Sequence, residues 1–150
     1  MSDLRELYQE VILDHYRNPR NFQRIEGECC RSAEGHNPLC GDEVEVLVEV
    51  VDGVVTQAAF QGSGCAISLA SASIMTETVK GKPEAELSEL FEKFQGMVMG
   101  TGDEGVADEL GKLAVFEGVR EFPTRVKCAV LAWHTLNAAL ADNGNKITTE

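Results

Sequence analysis

The sequence predicts a mixed fold in which a small antiparallel sheet packs with several helices. Residues 43–51 alternate strictly between valine and mostly acidic residues, while several longer stretches repeat apolar residues at the helical spacing of three and four. At 150 residues and 43% hydrophobic composition, the chain has the usual size of one domain and can bury one core. We therefore expect a single domain over residues 1–150, with a disordered tail at about 142–150.

The first predicted elements are an N-terminal helix and a hairpin. Residues 4–15 form an amphipathic pattern that places His15 on the apolar face, where a buried core histidine is expected, and Asn18-Pro19 ends the helix. Residues 43–51 form a half-buried strand, Asp52-Gly53 suits a tight turn, and residues 54–60 return antiparallel. Because two strands alone are marginal, we expect residues 26–33 to supply a third.

Helices dominate the second half of the sequence. Residues 66–79 are rich in alanine and serine, and residues 83–94 carry an apolar stripe after Pro83, so both predict helices. The glycines between residues 96 and 105 predict a looser stretch, followed by a short acidic helix that we expect to be mobile, and residues 96–111 have the composition of a loop that contacts a partner. Thr124 can cap a last helix that ends at about residue 141.

Composition excludes several classes of function. The net charge of −12 would repel nucleic-acid phosphates and anionic lipids, so neither nucleic acid nor membrane is an expected partner. No apolar run approaches the 18 or more residues that cross a bilayer, and the first residues lack a secretory signal, so we expect a cytoplasmic protein. Five cysteines with uneven spacing point to reduced thiols rather than to a disulfide framework.

Three of the cysteines fall at the ends of predicted elements. Cys65 and Cys128 lie near helix N-termini, which stabilise thiolates. Cys40 lies in a turn, and in an extended backbone its side chain projects to the same side as that of Asp42. Three thiolates and one carboxylate form a tetrahedral set that zinc accepts. Arg125 and Lys127, which precede Cys128, would offset the negative charge of such a zinc site.

Other interpretations of these residues stay open at this point. Buried free cysteines often serve packing alone, and Asp42 could simply cap its turn. Cys29 and Cys30, adjacent in a predicted strand, point to opposite faces and are expected to be structural. Among the other histidines, His36 lies near the turn and is a candidate ligand, whereas His134 is expected at the surface.

Several motifs together resemble the U-type scaffold superfamily of iron-sulfur cluster assembly. They are "YQEVILDHYRNPRNF", "NPLCGD", "GSGCAISLASASIMTE" followed by "VKGK", and "FPTRVKCAVLAW", and they cover nearly the whole chain in order. The IscU-like scaffolds carry a histidine before the last cysteine, where this chain has Lys127. The segment between Gly81-Lys82 and Cys128 is also longer than in those scaffolds. Both departures resemble the SufU type, a zinc-containing sulfur acceptor.

The resemblance implies a fold, a site and a function. The fold is an α+β fold, with a small antiparallel sheet of about three strands against several helices. Zinc is bound by Cys40, Asp42, Cys65 and Cys128, and Cys40 accepts persulfide sulfur from a SufS-type cysteine desulfurase, which uses pyridoxal phosphate. A partner histidine would free Cys40 by replacing it on the metal, and Arg125 would favour an anionic intermediate or dock an acidic partner loop.

The resemblance also leaves a second function open. The same thiolates could hold a transient iron-sulfur cluster, with Asp42 as the labile ligand, so that the protein would be a scaffold rather than a sulfurtransferase. Downstream SUF scaffold proteins are further expected partners of the sulfurtransferase.

Overall fold

The computed structural model describes residues 2–25, 30–38, 41–102, 105–141 and 146–148. Its elements, in chain order, are α1 (Ser2–Arg17), β1 (Cys30–Asn37), β2 (Asp42–Val51), β3 (Val54–Ser63), α2 (Ala66–Val79), α3 (Glu84–Met99), α4 (Val106–Glu109), a 3₁₀ helix (Gly111–Glu121), α5 (Pro123–Leu140) and β4 (Lys146–Thr148). The expected α+β class is confirmed.

The sheet has β2 at its centre, antiparallel to both β1 and β3, in the order β3-β2-β1-β4. The β2–β3 hairpin turns at Asp52 and Gly53, whose φ angles of 53° and 76° are both positive, as the primed turns of tight hairpins require. The valines of β2 at positions 44, 46, 48 and 50 are buried in the core. The alternating pattern therefore predicted both the strand and its inward face.

The third strand lies further along the chain than expected. We predicted it over residues 26–33, whereas β1 begins at Cys30 and continues to Asn37, and residues 26–29 lie outside the described residues. Its buried positions are small, because α5 packs directly on them: a Cβ on Gly35 would lie 2.0 Å from Thr135 Oγ1. A strand without large apolar residues gives no alternating signal, which explains the misplaced prediction.

Aromatic side chains connect the helices in the core. Phe94 of α3 is fully buried and stacks on Trp133 of α5 at 4.9 Å between ring centroids, while Phe116 of the 3₁₀ helix meets Phe94 edge-on at 5.9 Å. Such pairs stabilise a core beyond the area that they bury. The 3₁₀ helix is therefore part of the core rather than a surface appendage.

The looser stretch predicted around residues 96–105 is wrong at its start. Helix α3 continues through Gly96 to Met99, and Met97 and Val98 are buried. Gly96 lies where the backbone of Gly102 approaches it: a Cβ there would be 3.1 Å from Gly102 Cα. This glycine therefore permits close packing instead of breaking the helix.

Two end assignments also differ from expectation. Helix α5 begins at Pro123 with Phe122 as its N-cap, so Thr124 is inside the helix and does not cap it. Within the tail of residues 142–150, for which we expected disorder, Lys146–Thr148 forms β4 by pairing parallel with β1, whose outer edge offers free backbone groups. Residues 142–145 and 149–150 lie outside the described residues.

Across the described part of the chain, no helix is long and apolar enough to cross a membrane.

Candidate metal centre

Three of the four predicted ligands meet at one end of the sheet. Asp42 is the first residue of β2, Cys65 is the N-cap of α2, and Cys128 lies in the second turn of α5. One ligand atom from each lies within 4.8 Å of the other two. Asp42 and Cys128 are fully buried, whereas Cys65 is partly exposed. Cys40, the fourth predicted ligand, lies outside the described residues.

The carboxylate of Asp42 is fixed by the start of α2. Asp42 Oδ1 accepts the backbone N–H of Cys65 at 2.8 Å, and Oδ2 lies 3.8 Å from Cys65 Sγ. This approach requires glycine at position 64, where φ is +155° and a Cβ would lie 2.3 Å from Asp42 Oδ1. Gly64 of "GSGC" therefore lets the carboxylate and the thiol come together.

The Cys65 thiol is set up to ionise. A hydrogen bond with the Cys128 thiol lowers the pKa of Cys65 from 9.0 to about 6, with help from the backbone N–H of Ser68, although burial and the charge of Asp42 oppose the shift. Ser68 N donates to Cys65 Sγ at 3.4 Å, as expected for a thiol at a helix N-terminus. The lowered pKa favours the thiolate of Cys65, which is the form that binds metals.

Asn37 is a residue of this centre that sequence reasoning missed. It is fully buried at the end of β1, pairs with Asp42 across the sheet, and places its side-chain nitrogen 3.7 Å from Cys128 Sγ. Its carbonyl accepts the N–H of Gly41, the residue that follows Cys40 in the sequence, at 2.9 Å. The only sequence signal was the Asn-Pro step that opens "NPLCGD", which is equally typical of an ordinary turn.

The donor set and its spacing fit a tetrahedral metal ion. Bonds of about 2.3 Å to sulfur and about 2.0–2.2 Å to oxygen place neighbouring ligand atoms about 3.5–3.8 Å apart. The 3.8 Å between Cys65 Sγ and Asp42 Oδ2 is slightly longer than the roughly 3.5–3.7 Å that these bond lengths give for a sulfur and an oxygen ligand of one ion. Two thiols beside a buried carboxylate are chemically suited to zinc or iron. The described residues thus provide three of the four ligands that such an ion requires.

Comparison with known proteins places the chain in a family. A family model described as the NifU-like N terminal domain matches residues 7–129. The chain belongs to this family. The three clustered residues, Asp42, Cys65 and Cys128, lie within the range that the family model matches.

Relatives of this NifU-like domain carry two kinds of name. The zinc-dependent sulfurtransferase SufU of Bacillus subtilis is 37% identical over 146 residues, which covers 96% of this chain and 97% of the relative. The iron-sulfur cluster assembly scaffold protein IscU of Thermotoga maritima is 41% identical over 135 residues, or 89% and 92% of the two chains. The resemblance to SufU-type members of the scaffold superfamily is therefore confirmed.

Solved structures agree with these relatives. FiSufU of Fervidobacterium islandicum, described as an iron-sulfur cluster assembly scaffold protein for the SUF system, superposes with a TM-score of 0.79 at 36% identity. The match covers 87% of this chain and 94% of FiSufU.

The basic residues near the NifU-like centre lie at the start of α5. Arg125 is exposed three residues before Cys128, and Lys127 is half-buried beside it. His36, a candidate ligand from the sequence, is half-buried on β1 and does not belong to the clustered group among the described residues.

The remaining singled-out residues have structural roles. His15 is fully buried with Nδ1 at 2.7 Å from Ser73 Oγ, which confirms the expected core histidine. His134 was expected at the surface but is half-buried, edge-on to Phe91 at 5.1 Å. Cys30 lies 3.3 Å from the Ile25 carbonyl, away from the clustered thiols, and Cys29 is outside the described residues.

Proposed function

We propose that this NifU-like domain is a zinc-dependent sulfurtransferase of iron-sulfur cluster biogenesis, which accepts persulfide sulfur on Cys40 from a SufS-type cysteine desulfurase in the cytoplasm. The convergence of Asp42, Cys65 and Cys128 from three separate elements carries the proposal. The similarity to SufU of Bacillus subtilis over nearly the whole chain supports zinc as the metal and sulfur transfer as the activity.

Cys40 completes the ligand set in this proposal. Only Gly41 separates it from Asp42 in the sequence, a spacing that supports a fourth ligand from this segment. Bound zinc keeps cysteine ligands deprotonated at neutral pH. Three thiolates and one carboxylate around Zn²⁺ leave a formal charge of about −2, which Arg125 and Lys127 partly offset from the start of α5.

The positions of the thiols give them different tasks. Cys65 and Cys128 belong to helix starts, and each is held by an N–H donor at 3.4 and 3.7 Å. Cys40 belongs to the connection between β1 and β2, where Gly41 has a φ of +72° and a Cβ on it would meet no atom within 4 Å. The residue on the connection is therefore the one suited to leave the centre and react.

Sulfur transfer then needs no outside oxidant or reductant. The Cys40 thiolate attacks the terminal sulfur of the desulfurase persulfide, forming a new S–S bond. The old S–S bond breaks, and the desulfurase cysteine leaves as a thiolate. Arg125, exposed near Cys128, would stabilise the anionic sulfur or bind an acidic loop of the desulfurase.

Mass spectrometry after incubation with desulfurase and cysteine tests the proposal. We expect one added sulfur on Cys40 in the wild type and none in Cys40→Ser, whose multiple turnover should stall. Cys30→Ser is the matched control, because Cys30 lies outside the cluster and should leave transfer unchanged. Added sulfur on Cys65 or Cys128, or undiminished turnover of Cys40→Ser, would contradict the assignment.

A scaffold function is the second candidate, because several similar proteins, such as IscU of Thermotoga maritima, are named as cluster scaffolds. Lys127, where IscU-like scaffolds carry histidine, favours sulfur transfer. Anaerobic incubation with iron and sulfide separates the two: a scaffold would assemble a cluster and pass it to an acceptor protein, whereas a sulfurtransferase would keep its zinc.

A further inference from the structure

Asn37 connects the segments that carry the proposed ligands. Its backbone pairs with Asp42, and its carbonyl binds the N–H of Gly41 at 2.9 Å. Its side-chain nitrogen lies 3.7 Å from Cys128 Sγ, 91 residues further along the chain. The residue is fully buried. One asparagine thus contacts Gly41 next to Cys40 in the sequence, the strand that carries Asp42 and the Cys128 thiol of helix α5.

The direction of the contact with Cys128 follows from the donors available. A metal-bound thiolate has no proton and can only accept a hydrogen bond. The Asn37 amide must therefore present its NH₂ group to the sulfur, since its oxygen would be repelled. The contact is an N–H···S hydrogen bond to a ligand atom.

Each clustered ligand accepts at least one N–H hydrogen bond of this kind. Cys65 Sγ accepts from the backbone of Ser68 at 3.4 Å, and Asp42 Oδ1 accepts from the backbone of Cys65 at 2.8 Å. For Cys128 the donor is the Asn37 side chain. Donation to a thiolate withdraws electron density from sulfur, so it lowers both nucleophilicity and the negative charge of the centre.

We propose that Asn37 is a positioning residue that keeps Cys128 an unreactive metal ligand while its backbone holds the Cys40 turn beside the centre. Sulfur is then directed to Cys40. The hydrogen bond lowers the nucleophilicity of the Cys128 thiolate, whereas Cys40 belongs to the connection between β1 and β2. This inference rests on the proposed function, in which three thiolates and Asp42 hold one metal ion.

Cobalt-substituted protein, studied without any desulfurase, tests the hydrogen bond. Asn37→Leu keeps the side-chain size but removes both donors, so its sulfur-to-cobalt charge-transfer band should move to longer wavelength. Its zinc affinity, measured against a competing chelator, should fall by about 10–100-fold. The control is Ser73→Ala, which loses the buried bond to His15 away from the centre and should leave the band in place.

A second measurement uses the wild type, because Asn37→Leu changes a buried residue and can fail to fold. In protein loaded with ¹¹³Cd, the side-chain amide protons of Asn37 should show scalar coupling to cadmium through the N–H···S bond. Missing coupling, an unmoved band in folded Asn37→Leu, or an equal band shift in Ser73→Ala would overturn the inference. A wild type that takes up no cobalt or cadmium would overturn the proposed function and this inference together. A wild type with the expected coupling that accepts no sulfur would overturn the sulfurtransferase function and the direction of sulfur to Cys40, but not the hydrogen bond from Asn37 to the Cys128 ligand.

Discussion

Replacing Gly64 with alanine tests whether the metal centre depends on the position of the Asp42 carboxylate. The new Cβ would lie 2.3 Å from Asp42 Oδ1 and 3.0 Å from Asp42 Cα, at a φ of +155°. Real Cβ atoms essentially never approach another heavy atom closer than 3.0 Å, so the carboxylate or its backbone must move by about 0.7 Å. No proposed ligand is itself changed.

The size of this movement predicts the effect. Metal-ligand distances tolerate only about 0.2 Å, so a shift of about 0.7 Å removes Asp42 from the ligand set. The same shift lengthens the 2.8 Å hydrogen bond from Cys65 N beyond its normal range. We expect zinc affinity to fall at least about tenfold, which corresponds to about 1.4 kcal/mol. Backbone strain should also destabilise the metal-free protein by about 1–3 kcal/mol.

Chelator competition gives the zinc affinity, and thermal denaturation with and without chelator gives the stability. Gly53→Ala is the matched control: its φ is +76°, but a Cβ there meets no atom within 4 Å. It should lose stability through strain and keep full zinc affinity. If Gly64→Ala bound zinc as tightly as the wild type, or if Gly53→Ala lost affinity equally, the reasoning would be refuted.

Three further predictions concern the core and the titrating groups. Phe94→Ala should cost about 3–5 kcal/mol of unfolding free energy in urea titrations, because the fully buried ring packs on Trp133; a loss below about 1 kcal/mol would contradict this. His15 has its pKa lowered from 6.5 to about 4, chiefly by burial, so stability should be complete above pH 6.5 and fall as pH drops toward 4. His15→Gln should weaken that dependence, and parallel denaturation curves for the two proteins would oppose it. In chelated protein, alkylation of Cys65 followed by peptide mapping should rise with pH around a midpoint near 6; a midpoint near about 8.5, typical of free thiols, would be the contrary result.

The parts of the fold that the sequence predicted correctly are those with a local signal. The hairpin has alternating valines and an Asp-Gly turn, and helix α2 occupies the predicted residues. Strand β1 was placed too early in the chain because the residues at its buried positions are small and give no alternating pattern. Gly35, which lies against Thr135, is one of them. Gly96 was wrongly predicted to start a looser stretch for a related reason. The sequence alone does not distinguish a glycine that permits close backbone packing from one that ends a helix.

The residues of the candidate site also differ in whether the sequence gives a local signal for them. Asp42, Cys65 and Cys128, which the structure brings together, were predicted as ligands because thiols and carboxylates at element ends suggest metal chemistry from residue type alone. Asn37 was not found, because an amide becomes part of a metal centre only through its distance to Cys128, and that distance depends on how α5 packs on β1. Residues that act on ligands rather than on the metal are therefore the hardest to predict from one sequence.

The spacing of the clustered ligands along the chain affects how the protein matures. Asp42 and Cys128 come from opposite halves of the chain, and an ion that ties them closes a loop of about 87 residues. In an open chain such a closure costs roughly 4–5 kcal/mol of entropy, so the centre can assemble only after the sheet and α5 have come together. In the proposed centre, capture of the ion would then be a late step of folding. A cell short of that metal would hold more of this protein in states open to proteolysis, so metal supply would set how much of it persists.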